Sequence, residues 1–188
     1  MPGPRMVCFL RRLFWIINKL FMVPMFRVGL GPLVGNPLTG YIMVLKTIGR
    51  RSGKLRYTPV NYGIREGNVF CISGFGRSSD WYRNIQANPH IELLMPGGAL
   101  AGIVEEVADR QERLSALRQI LRNAGFAGLF YGAHPSRIPD EVLERRSAGT
   151  RIMRIRLVGL GSGPSDAGGW VWAGMLLLTI VLLFLLLK

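Results

Sequence analysis

Thr47-Ile48-Gly49-Arg50-Arg51-Ser52-Gly53-Lys54-Leu55-Arg56-Tyr57-Thr58-Pro59 is a basic, glycine-punctuated turn between two runs with strand character. Gly49 and Gly53 let the backbone take positive φ and approach a ligand closely, while Arg50, Arg51, Lys54 and Arg56 put four cations within seven residues. Ser52, Thr47 and Thr58 add hydroxyls. Exposed backbone N–H groups and planar guanidinium forks together make such a turn suited to phosphate. The spacing matches neither G-x-x-x-x-G-K-[ST] nor G-x-G-x-x-G, and a strand follows rather than a helix, so neither nucleotide-binding fold is implied. A solvated hairpin loop whose charges serve solubility is the competing reading.

Outward from the turn, the signals are mostly β. Tyr41 to Thr47 is apolar enough for a central strand, and Arg56 to Ile64 follows the turn. Glu66-Gly67 turns into Asn68–Ser73. Ile91–Met95 and Ala99–Val107 flank Pro96-Gly97-Gly98, a hairpin signal, and Arg151–Val158 alternates. Six strands in mostly hairpin order predict a small antiparallel barrel, a shape that removes exposed edges. Two helices interrupt them. Asp80–Asn88 has Asp80 as its expected cap and Pro89 as its stop. The other begins at Asp109 with Glu112 three residues on, buries Leu114, Leu117, Ile120 and Leu121, and stops at Gly125. The glycine- and aromatic-rich stretch from Gly125 to Glu144, with Phe126, Phe130, Tyr131 and His134, reads either as a lid or as plain covering.

Charge is distributed unevenly. Residues 1–65 hold 11 of the 24 Lys and Arg and none of the 11 Asp and Glu, the first acid being Glu66. An anionic partner follows, and nucleic acid, an anionic membrane surface and a phosphorylated cofactor all qualify. Cys8 and Cys71 form neither a disulfide framework nor a zinc pattern. From Met6 to Phe26 an apolar stretch is broken by Arg11, Arg12, Asn18 and Lys19. Leu10, Leu13, Phe14, Ile17, Leu20 and Phe21 share one helical face, with Arg11, Arg12, Trp15, Asn18 and Lys19 on the other. This basic amphipathic helix either lies on a membrane surface or packs on the domain. At the other end, the polar linker from Gly159 to Asp166 precedes an uncharged run from Ala167 to Leu187, with Trp170 and Trp172 at one end and Lys188 at the other. About 20 apolar residues suffice to span a bilayer, so one transmembrane helix is expected, with the main domain on the cytoplasmic side by the positive-inside rule. The expected organisation is an N-terminal helix at 1–28, a barrel at 29–158, a linker at 159–166 and a spanning helix at 167–187.

His90 and His134 are the only histidines, and no His–carboxylate pair, nucleophile elbow or metal-ligand cluster is recognisable. Hydrolytic and acyl-transfer chemistry usually need such groups. Hydride transfer leaves the reactive atom to a cofactor and asks the protein to hold it.

The segment Gly49 to Pro59, followed some twenty residues on by Asp80-Trp81-Tyr82-Arg83-Asn84-Ile85-Gln86-Ala87-Asn88-Pro89, resembles the deazaflavin-dependent nitroreductase family. The similarity in strand order runs from about Tyr41 to Val158. The resemblance implies a mixed α+β fold: a split β-barrel like that of the flavin mononucleotide-binding oxidoreductases, often dimeric. It also implies the deazaflavin coenzyme F-420 and hydride transfer to quinones, nitroaromatics or other electron-poor acceptors. Carried over by position, it puts Arg50, Arg51, Ser52, Lys54 and Arg56 near the cofactor's phosphate and acidic tail, and Thr58, Pro59 and Val60 along its rings. Ser73, Gly74, Phe75, Gly76, Ser78 and Ser79 would wrap the deazaflavin, with Trp81 and Asn84 supporting it. Tyr131 is the suggested acceptor-pocket residue. No side chain is assigned a catalytic role and no metal is expected.

The combined expectation is a membrane-tethered deazaflavin-dependent oxidoreductase with membrane lipid, a lipophilic acceptor such as a quinone, and a second copy as partners. Flavin mononucleotide or haem in the same barrel, or a non-catalytic adaptor binding anionic lipid, are the alternatives. No nucleic-acid-binding motif is present.

Overall fold

The computed structural model describes residues 12, 13, 15–125, 138–163 and 170–187. Among them, six strands, β1 (Ile42–Ile48), β2 (Leu55–Arg65), β3 (Asn68–Ser73), β4 (His90–Met95), β5 (Gly98–Glu106) and β6 (Arg151–Leu160), close a barrel in the order β1-β2-β3-β6-β5-β4. Every neighbouring pair is antiparallel. The expected barrel is present, each strand within one or two residues of its reading.

The helices among the described residues include α1 (Val23–Arg27), α2 (Gly31–Val34), α3 (Asp80–Ala87), α4 (Arg110–Arg122), α5 (Asp140–Ser147) and α6 (Trp170–Leu186). Alternation along the strands sorts their side chains into separate cores. Met43, Leu45, Val60, Val69, Leu93 and Ile155 share one cluster with Trp81, Tyr82 and Ile85 of α3, so α3 packs into the barrel's interior core. Phe70 and Ile152 bury a second face under Leu114, Leu117 and Ile120 of α4 and Leu143 of α5. Val44 and Leu94 bury a third face under Val23 and Phe26 of α1 and Val34 of α2. The start of α4 follows the sequence signal, since the Glu112 N–H donates to Asp109 Oδ1 at 2.7 Å. α3 departs from it: Ser79 holds the cap position without a side-chain capping bond, and Asp80 is the first helical residue.

Pro24 lies within the N-terminal helical segment. The chain passes through a wide π turn, Asn18–Met22, directly before α1, with Pro24 in α1's first turn. Gly29, at φ 84°, follows the end of α1. From Val23 onward the segment packs on the barrel, whereas Leu13, Ile17, Leu20 and Phe21 stay exposed. Phe14 and everything before Arg12 lie outside the described residues.

The expected transmembrane helix is corrected. The C-terminal apolar run forms α6, of 17 residues, and at about 1.5 Å per residue it falls short of a hydrocarbon core about 30 Å thick. Among the described residues no helix is long and apolar enough to cross a membrane. The single-pass, tail-anchored placement and the cytoplasmic orientation derived from it fall with the span.

The linker is also more tightly held than its composition suggests. Gly159 and Leu160 belong to β6, and the chain then latches onto a partly buried ion pair. Lys46 Nζ donates to Glu92 Oε1 (3.2 Å), Ser162 Oγ (2.9 Å) and the Gly163 carbonyl (2.8 Å). The Ser162 hydroxyl and the Gly163 N–H donate to the Glu92 carboxylate. Burial opposes ionisation of Glu92, but Ser162 and Lys46 outweigh it and hold the carboxyl below its ordinary range. Lys46→Met is expected to cost about 1–3 kcal/mol, because Glu92 loses its counter-charge while remaining mostly buried. A carboxyl with a depressed folded-state value stabilises above its unfolded value, and that contribution disappears as pH falls through the folded one. Urea unfolding of wild type and Lys46→Met should therefore diverge near neutrality and converge in acid. Parallel curves across that range would remove the latch from the account.

Candidate functional site

The basic turn from Gly49 to Lys54 joins β1 to β2 beyond the last register pair, Ile48 with Leu55. Its geometry is closed by its own backbone. The Gly49 N–H donates to the Lys54 carbonyl (2.9 Å), while the Ser52 and Gly53 N–H groups donate to the Gly49 carbonyl (3.1 and 2.8 Å). Gly53 takes φ 64°, the left-handed conformation that glycine accepts without strain. The Lys54 N–H donates to Ser52 Oγ and the Arg50 N–H to Asn84 Oδ1. The expected nest of exposed backbone donors is therefore largely consumed within the turn, and side chains carry its capacity for anions.

Those side chains divide into two sets. Arg50 ties the turn to α3: its guanidinium donates to the Asp80 carbonyl (3.3 Å), Asp80 Oδ1 (3.1 Å) and Asn84 Oδ1 (3.0 Å). These bonds hold the turn against α3. Arg56 donates to Ser52 Oγ at 3.3 Å, and Arg51 projects from the exposed part of the turn.

A cleft of about 720 Å³ lies over this turn, within the ordinary size range of small-molecule sites. It gathers Arg50, Arg51, Ser52, Arg56, Thr58, Pro59, Trp81 and Asn84 of the expected site residues. Lys54 is exposed and does not line it, and Val60 is turned into the barrel core. Ser73, Gly74, Phe75, Gly76, Ser78 and Ser79 are not brought to the cleft either. Their loop bonds to itself: the Ser73 hydroxyl reaches the Gly76 carbonyl and Ser79 Oγ, and Ser78 Oγ donates to the Phe75 carbonyl. Tyr131, His134 and the rest of the lid stretch at 126–137 lie outside the described residues.

Sequence reasoning missed a wall of the cleft. Trp15, Asn18, Lys19, Val23, Pro24 and Arg27 line it from the N-terminal helix. The helical wheel groups Trp15, Asn18 and Lys19 on one polar face, but the pattern does not say that this face meets the barrel. Lys19 Nζ sits 4.8 Å from the Trp15 ring centre, and the Arg27 guanidinium lies 5.0 Å from that of Tyr57 on β2. Among the described lining residues Asp80 is the sole acid, and Arg50 engages it. The donor set is thus cationic and hydroxylic, and it fits a ligand carrying phosphate or carboxylate groups.

Other titratable groups are structural. Cys71 is buried, and burial pushes its thiol up to about 12. Tyr82 donates to Glu106 Oε2 at 2.6 Å, and that bond, with burial, raises the phenol. Among the described residues no group of His, Cys, Asp and Glu is arranged to hold a metal ion.

A closed antiparallel barrel with a cationic cleft over its β1–β2 turn is suited to a ligand that carries anionic groups. Residues 22–137, well over half of the chain, match the F420H(2)-dependent quinone reductase family, and the chain belongs to that family. It is an oxidoreductase, and its cofactor is coenzyme F-420. Similar solved structures include a candidate 5-nitroimidazole antibiotic resistance protein from Bacteroides thetaiotaomicron, 14% identical over 63% of this chain and 73% of that one, with TM-score 0.46. An F420 reductase is 20% identical over 69% and 93%, with TM-score 0.44. An F420-H2 dependent reductase is 18% identical over 61% and 92%, with TM-score 0.43. The family match, and not these distant likenesses, carries the assignment.

Proposed function

We propose that the cleft over the β1–β2 turn is where coenzyme F-420 binds and that the electron acceptor is a quinone or another lipophilic, electron-poor molecule. The observation that carries this reading is the cleft's charge: Arg51, Arg56, Lys19 and Arg27 line it, while its described acid, Asp80, is engaged by Arg50. In this reading Arg51 and Arg56 take the cofactor's anionic groups, with the Ser52 hydroxyl beside them. Thr58 and Pro59 on β2 and Trp81 on α3 form the less polar floor along which its ring system lies. Arg50 and Asn84 do not touch the ligand but hold turn and helix in register.

When bound, the reduced cofactor supplies the hydride. The protein's part is to orient the two reactants and limit water around them, which places the rate gain in positioning rather than in a protein acid or base. A lipophilic acceptor suits the cleft's surroundings, because exposed Trp15, Ile16, Leu20 and Phe21 stand on the helix that walls it. The test follows quinone-dependent loss of reduced coenzyme F-420 with the full chain, against a nitroaromatic and a water-soluble acceptor. Turnover fastest with the long-chain quinone is expected, and equal rates for all three acceptors would contradict the choice of acceptor.

A further inference from the structure

Three residues of the cleft, Trp15, Asn18 and Lys19, precede the residues matched to the family, which begin at 22. What they add is peculiar to the part of this chain outside that match. The segment is cationic without compensation, since no Asp or Glu occurs before Glu66. Lys19 lies over the exposed Trp15 ring, a contact that occupies one side of an ammonium group with three donors. Asn18 adds an amide on the same wall. An exposed cation–π contact is worth only about 0.5–1 kcal/mol, so the ammonium is free to turn to an anionic oxygen while the indole stays as its support.

We infer that Lys19, with Trp15 and Asn18, forms a second anion subsite on the N-terminal helix, for a phosphate or carboxylate of the bound cofactor other than the group held by Arg51 and Arg56. The subsite rests on the cofactor placement proposed above. It gives a charged length of ligand two separated points of attachment, so it selects for cofactors with more than one anionic group.

The experiment is fluorescence titration of the full chain and its Lys19→Ala and Lys19→Arg variants. The probes are coenzyme F-420 and the deazaflavin chromophore stripped of phosphate and carboxylates. Lys19→Ala is expected to weaken coenzyme F-420 about fivefold, the equivalent of one exposed ionic contact, and to leave the stripped chromophore unchanged. Lys19→Arg should restore most of the affinity. Unchanged coenzyme affinity in Lys19→Ala, with affinity lost when Arg51 and Arg56 are replaced, overturns the subsite and leaves the cofactor placement standing. Equal weakening of both probes also overturns it, since the lysine would then be packing the wall. If the wild-type chain binds no coenzyme F-420, the placement itself fails and takes the subsite with it.

Discussion

Replacing Arg51 and Arg56 together by alanine is expected to weaken coenzyme F-420 about a hundredfold with little change in stability. Both side chains are on the exposed part of the cleft and neither is buried in a core. Surface substitutions of this kind usually move stability by about 0.5 kcal/mol or less. Each charge-assisted contact to an anionic oxygen is worth about 1.5 kcal/mol at the exposed end of the range, and two of them make roughly two factors of ten. Arg50→Ala should behave differently. It breaks the bonds to Asp80 and Asn84, so a lower melting temperature accompanies any loss of affinity. Titration and thermal melts of the two variants separate ligand contact from positioning. A double variant that binds like wild type would remove the turn from the site.

Trp81→Ala carries the largest expected loss of stability. Trp81 is 9% exposed and packs in the barrel's interior cluster while also lining the cleft. Truncating a buried indole typically costs about 3–5 kcal/mol, from lost transfer energy and the cavity left behind. The hole would open directly beneath the cleft floor, so cofactor affinity should fall with stability. Trp81→Phe should recover part of both. The midpoint of urea unfolding measures this, and a change under about 1 kcal/mol would mean that α3 does not plug the barrel as described.

How legible this was in the sequence differs by element. Apolar runs bounded by turn signals, with alternation in β6, located all six strands, and β3 matches its reading at both ends, because Glu66-Gly67 and the loop glycines mark them sharply. Asp109 with Glu112 announced α4 for a local reason, a side chain bonding a backbone three residues on. The site was legible only in its local half. Arg50 and Asn84 are 34 positions apart and meet because α3 folds back onto the turn, which no spacing rule reveals. The helical wheel separated Trp15, Asn18 and Lys19 from the apolar face, but not which face would meet the barrel. Hydropathy suggested a membrane span at the C-terminus; among the described residues the helix there is Trp170–Leu186, and none is long and apolar enough to cross a membrane. The Ser73–Ser79 loop was assigned by resemblance, and its hydroxyls turn inward to its own carbonyls.

The most direct measurement is fluorescence titration of the full chain with oxidised coenzyme F-420, with flavin mononucleotide in parallel. The account predicts saturable binding of coenzyme F-420, tighter than flavin mononucleotide and weakened by salt as the exposed arginines and Lys19 are screened. A folded chain that binds neither, or that prefers flavin mononucleotide, would contradict the placement of the cofactor over the Gly49–Pro59 turn.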